Sequence, residues 1–146
     1  MLVARQLMTP ALRSLNESDS VVVAARRMRA LGVSSIPVAG DNDSFIGMLS
    51  ERDIIERCVA AALDPGEITV GSLVLGPAVT VDVCQPADSA VLGLVLRQPQ
   101  GIVAVLENGV LAGVITVAGI ASYLIDEDDL DGIGAQWWPA GPAAPG

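Results

Sequence analysis

The 146-residue chain is half hydrophobic yet holds only one Phe, one Tyr and two Trp, so its core has to be aliphatic, which favours a compact α/β protein over an aromatic-rich binding sandwich. Seventeen acidic residues against eight arginines, with no lysine and no histidine, give a formal net charge of -9; that balance repels a nucleic-acid backbone and removes histidine-based acid/base chemistry. Two cysteines without CxxC spacing argue against a disulfide framework and leave almost nothing for a zinc or iron site, and no apolar run approaches the roughly 20 residues of a membrane span.

The N-terminus, Met1 to Gln6, lacks a basic region followed by a long apolar core, so no cleavable secretion signal and a cytoplasmic location are expected. Ala4 to Met8 reads as a short helix or arm leading to Thr9-Pro10, where proline biases its predecessor away from helical geometry. A short strand through Leu12 and Leu15 follows, then the polar turn Asn16-Glu17-Ser18-Asp19. Asp19 or Ser20 is placed to cap a helix that sets Val21, Ala24, Ala25, Met28 and Leu31 on one face and Arg26, Arg27 and Arg29 largely away from it. Gly32 is the residue type that ends such a helix in the left-handed conformation.

Two apolar runs, Val33 to Val38 and Phe45 to Ser50, joined by the polar turn Gly40-Asp41-Asn42-Asp43, read as a hairpin. The second run leads directly into a helix from Glu51, with Ile54, Ile55, Cys58, Val59, Ala62 and Leu63 expected toward a core. Asp64-Pro65-Gly66 breaks it, and Thr69 is positioned to cap one turn from Val70 to Val74. Cys58 and Cys84 both read as small hydrophobes.

The same order then returns in weaker form: strand Ala78 to Val81, turn and cap Gln85 to Ser89, an apolar helix Ala90 to Leu96, the run Gly101 to Val105, the turn Glu107-Asn108-Gly109, the strand Leu111 to Ile115 and a helix Val117 to Leu124. A repeat of this length fixes the fold before any local argument does. The expected division is therefore residues 3–65, residues 66–125, and an extension from 126 to 146. That extension opens on Asp126, Glu127, Asp128, Asp129 and Asp131, passes Trp137-Trp138, ends in Gly, Pro and Ala, and is expected to lack regular structure.

The chemistry concentrates in Ser50-Glu51-Arg52-Asp53. On its own, Ser-x-x-Asp is a capping box, in which the serine oxygen accepts from the Asp53 amide and the carboxylate accepts from the Ser50 amide. A strand ending at a helix N-terminus also presents free amides and the positive end of the helix dipole. There Ser50 suits a phosphate, Asp53 a ribose diol, and Arg52 a contribution of positive charge. Ser34, Ser35, Ile36 and Pro37 open the preceding strand, where carbonyls and apolar side chains suit the flanks of a base.

The Met8-Thr9-Pro10 opening, Gly32 to Val38, Gly47 to Asp53 and the repeated strand-helix-strand-strand-helix order resemble a tandem pair of CBS domains, the cystathionine beta-synthase type also called a Bateman module. Short stand-alone actinobacterial CBS-pair proteins are the closest likeness in layout. The resemblance covers roughly residues 3 to 125. It implies an α/β fold of two units, each a small sheet of about three strands packed against two helices, related by a pseudo-two-fold axis.

It further implies a non-catalytic regulatory module, acting as a homodimer on a regulated protein not legible here, with an adenosine nucleotide (AMP, ADP or ATP) as ligand and no cofactor. On that pattern Ser50 contacts phosphate and Asp53 the ribose, while Ser34 to Pro37, with Thr9 and Leu12 from the first strand, flank the base. In the second copy Thr116 keeps the hydroxyl but Gly119 replaces the aspartate, so at most one good site is expected. The alternative is a ligand-free dimerisation or scaffold module in which Ser50 and Asp53 only cap a helix. A carboxylate-based hydrolase has little support, since Asp41 and Asp43 lie in a turn without a preorganised partner.

Overall fold

The computed structural model describes residues 2–10, 14–74 and 78–127. Leu12 and the Trp137-Trp138 segment therefore lie outside the described residues. Contacts divide the chain into two compact units, one holding residues 14–74 and the other holding residues 2–10 and 79–127.

In the unit of residues 14–74, strand β2 (Leu15–Asn16) runs parallel to β3 (Ser35–Ala39), which pairs antiparallel with β4 (Phe45–Ser50). A parallel pair needs a crossover, and helix α2 (Val21–Leu31) supplies it. Its sequence explains both ends: Ser20 Oγ accepts from the Val23 amide at 3.3 Å, and Gly32 closes it at φ 68° with its amide donating to the Arg29 carbonyl. The expected apolar stripe is present at Val21, Ala24, Met28 and Leu31, which are buried, but Ala25, expected on the same face, is exposed at its edge. The buried residues meet Leu15, Ile36, Val38 and Leu49 from the sheet, with Cys58, Val70 and Leu73, in one core.

After β4 the chain forms α3 (Glu51–Ile54) and continues into a π turn, Ile55–Val59. Here the expected apolar face is corrected. Cys58 is buried and Ile54 packs on the core, but Ile55, Val59 and Leu63 are 59%, 64% and 46% exposed. The Ala60 amide donates to the Ile55 carbonyl five residues back, and this wider turn shifts the helical phase. Ala62 then leaves the helix at φ 58°, so a 3.6-residue period cannot be carried through to Leu63. Helix α4 (Val70–Leu73) buries Val70 and Leu73. Thr69 makes no side-chain cap bond to it; the Val70 and Gly71 amides instead donate to the Asp19 and Glu17 carbonyls.

The other unit has a four-stranded sheet in the order β1 (Thr9–Pro10), β7 (Val110–Thr116), β6 (Ile102–Glu107), β5 (Thr80–Asp82). Only β5 and β6 are parallel, and α5 (Ser89–Arg97), capped by the Asp88 carboxylate on the Ala90 and Val91 amides, connects them. Helix α1 (Ala4–Leu7) and α6 (Val117–Glu127) complete it around Ala4, Leu7, Val81, Val83, Val91, Val95, Val103, Val105 and Ile115. Cys84 is exposed in the turn after β5, its amide held by the Asp82 carboxylate, and is no core residue.

The sequence repeat and the packing units thus divide the chain differently. The segment that opens the first repeat, α1 and β1, packs in the unit of residues 79–127, whereas α4, which opens the second repeat, packs with residues 14–74. Gly113 makes the β1 contact possible: a Cβ there would lie 2.4 Å from the Thr9 carbonyl oxygen.

Candidate functional site

The site follows from how β3 and β4 pair. Ile36 and Leu49 are opposite one another and point into the core, so their neighbours Ser35 and Ser50, also paired, face the other side of the sheet with Pro37 and Met48. The Glu51 amide donates to the Ser34 carbonyl at 2.9 Å and pins the start of α3 to the start of β3.

At the junction Ser50 and Asp53 form the reciprocal cap expected of Ser-x-x-Asp. The Ser50 amide donates to Asp53 Oδ2 at 2.8 Å, and the Asp53 amide donates to Ser50 Oγ at 3.1 Å. Among the described residues no amide donates to Asp53 Oδ1; Arg57 Nη1 lies 3.6 Å from it and donates to the Leu73 carbonyl at 2.7 Å. The Ser35 hydroxyl is buried and has no hydrogen-bond partner among the described residues. An unmade bond of this kind costs roughly 1–3 kcal/mol.

Ser34, Ser35, Ser50 and Asp53 are therefore brought together at one end of one sheet. Pro37 shares that face two residues further along β3, Leu12 lies outside the described residues, and Ile36, Arg52 and Thr9 do not present their side chains there. The Ile36 side chain belongs to the core, so only its backbone is available to a base. Arg52 is 77% exposed and paired with Glu56 at 2.8 Å, a helical i,i+4 ion pair. Thr9 is carried by β1 in the sheet of the other unit, opposite Val114.

An open groove of about 540 Å³ lies between α2 and α3, lined by Ala25, Met28, Arg29, Gly32, Val33, Ser34, Glu51, Ile54 and Ile55. It shares only Ser34 with the predicted residues. A smaller hollow of about 370 Å³ next to it adds Val21, Val22, Arg26, Val59 and Pro65. Sequence reasoning missed this groove because it assigned Ile55 and Val59 to the interior. It also missed Arg57, whose spacing of four residues from Asp53 was the available signal.

In the second copy Thr116 Oγ1 accepts from the Gly119 amide at 2.7 Å, and glycine has no carboxylate to complete the exchange. The register adds a difference that a uniform repeat offset hides. Ile102, not Gly101, pairs with Thr116, so an isoleucine stands where the first copy has Ser35. Among the described residues no group of three or more His, Cys, Asp or Glu side chains is placed to hold a metal ion.

Two mixed sheets flanked by helices and built from a repeated strand-helix-strand-strand-helix unit define a tandem CBS-domain module. The CBS domain family matches residues 4–60. Hypoxic response protein 1 of Mycobacterium tuberculosis (strain ATCC 25618 / H37Rv) is 32% identical over 124 residues, 85% of this chain and 86% of that protein. Among solved structures, Hypoxic Response Protein I with two coordinated zinc ions superposes with a TM-score of 0.74 at 31% identity, covering 82% of this chain and 97% of that one. CBSX2 from Arabidopsis thaliana shares the fold, with a TM-score of 0.75 at 19% identity over 87% of this chain and 96% of its own.

The chain belongs to the CBS-domain family, as a CBS-pair protein related to the actinobacterial Hypoxic response protein 1. Such pairs are in general non-catalytic regulatory modules, and no enzymatic step is assigned to this one.

Proposed function

We propose that this protein is a homodimeric sensor that binds an adenosine nucleotide at the first CBS copy, with Ser50 and Ser35 toward phosphate and Asp53 toward the ribose. The observation that carries the reading is the buried, unpartnered Ser35 hydroxyl opposite Ser50 on the sheet face away from the core. A ligand oxygen arriving there recovers a hydrogen bond the free protein forgoes. The oxygen of Asp53 that takes no amide, Oδ1, lies one helical turn on, and the start of α3 offers a favourable field for negative charge. A protein of the same fold, CBSX2, has been crystallised in complex with AMP.

The dimer reading rests on the exposed stripe Ile55, Val59 and Leu63 in one unit and Leu96, Val117 and Leu124 in the other. Apolar faces of this kind are ordinarily covered by a partner. The free cysteines Cys58 and Cys84 fit a reducing, cytoplasmic setting.

One observation favours the second reading, a ligand-free dimerisation module: the Ser50–Asp53 cap is closed on itself, and neither residue lines the α2–α3 groove. Isothermal titration with AMP, ADP and ATP separates the two. Binding to the wild type that weakens at least tenfold in Ser35→Ala supports the sensor, and absence of heat with all three nucleotides leaves only the assembly role.

A further inference from the structure

Asp53 has a second partner that the nucleotide reading does not use. Arg57, one turn further along the helix, directs Nη1 to the Leu73 carbonyl at the C-terminal end of α4 and lies 3.6 Å from Asp53 Oδ1. Helix α4 has four residues and no side-chain cap at its N-terminus. Its Val70 and Gly71 amides are bound to the Asp19 and Glu17 carbonyls, and Leu73 O is held by the Arg57 guanidinium. A helix this short has no stability of its own, so its order depends on those anchors together with the burial of Val70 and Leu73 in the core. The second copy lacks the device, because a uniform 66-residue offset puts Gly119 and Tyr123 in place of Asp53 and Arg57.

We infer that Arg57 is a positioning residue that couples the charge state and occupancy of Asp53 to the docking of α4. The carboxylate attracts the guanidinium and holds it where it caps Leu73. Hydroxyl groups donating to Oδ1 spread that negative charge and loosen the hold. Occupancy at the end of β4 is thereby converted into a change in the segment that opens the second repeat. The ligand half of this inference rests on the nucleotide reading; the Asp53–Arg57–Leu73 coupling does not.

Hydrogen exchange at the Val70 and Gly71 amides tests it on the intact chain, first without nucleotide. Arg57→Met removes the cap and is expected to speed exchange there by about three- to tenfold, the size of one backbone-anchoring hydrogen bond. Asp53→Asn keeps an oxygen for the Ser50 amide but drops the charge; it is expected to speed the same amides and to add nothing in the Arg57→Met background. Unchanged exchange in Asp53→Asn, or full additivity in the double variant, overturns the coupling.

The second arm adds AMP. Exchange at Val70 and Gly71 rises with saturation in the wild type, whereas Arg57→Met still binds AMP and shows no such response, a separation that a merely structural role for Arg57 does not produce. Binding without any response in the wild type overturns the relay. Absence of binding overturns the nucleotide reading and leaves the ligand-free arm to decide the coupling.

Discussion

Asp53 spends its two oxygens differently, and this shapes what its replacement does. Oδ2 serves the Ser50 amide, while Oδ1 faces Arg57 across 3.6 Å. Asp53→Ala removes both and is expected to lower stability by about 1 kcal/mol, the usual cost of a lost cap, read as a fall in the urea midpoint at unchanged slope. Ser35→Ala goes the other way. Deleting a buried hydroxyl that has no partner among the described residues is expected to leave stability unchanged or to raise it by up to about 1 kcal/mol, read as an unchanged or higher urea midpoint. A clear loss of stability in Ser35→Ala would show that the hydroxyl is satisfied in solution and remove its argument for a ligand.

At the scale of elements, the close contact of β1 with β7 gives a sharp test. A Cβ on Gly113 would meet the Thr9 carbonyl oxygen at 2.4 Å and the Met8 sulfur at 2.8 Å. Gly113→Ala therefore forces backbone to move and is expected to cost about 1–3 kcal/mol, with exchange of the β7 amides accelerated where β1 is displaced. Gly109, with nothing within 4 Å of its Cβ position but φ 80°, is strained by alanine for the separate reason of its left-handed backbone.

Much at this scale was legible in the sequence. Helix α2 could be read from Ser20, its apolar stripe and Gly32, and the β3–β4 hairpin from two β-rich runs around Gly40 to Asp43, because each rests on local chemistry. The reciprocal Ser50–Asp53 cap was readable for the same reason. What was not legible depended on phase or on distant packing. Ile55 and Val59 each sit one residue, about 100° of helical turn, round from Ile54 and Cys58, and only the Ile54–Cys58 edge of the expected stripe meets the core. The pairing of Ile102 rather than Gly101 with Thr116 comes from a one-residue difference in repeat spacing between the two hairpins. The placement of Thr9 in the sheet with β7 is a non-local choice that a strand of two residues does not announce.

For the whole molecule, the proposed ligand and the proposed second copy call on two surfaces, the polar end of the β3–β4 sheet and the exposed stripe Ile55, Val59 and Leu63 that follows it. Placing a charge on that stripe opposes association without touching the core. Ile55→Asp with Val59→Asp is accordingly expected to convert a particle of about twice the 15.0 kDa chain mass to a monomer in light scattering, with the far-UV circular dichroism of the wild type retained. A wild-type protein that already runs as a monomer contradicts the dimer.

The central claim is that the first CBS copy binds a nucleotide through Asp53, and a side-by-side equilibrium titration of the wild type and Asp53→Asn with AMP tests it most directly. Asparagine preserves the oxygen that accepts from the Ser50 amide, so the cap of α3 is kept while the charged acceptor is lost. Removing a charged hydrogen bond of about 1.5–3 kcal/mol predicts an affinity lower by roughly 10- to 100-fold in the variant. Equal affinities in the two proteins, or no binding to either, contradict the account.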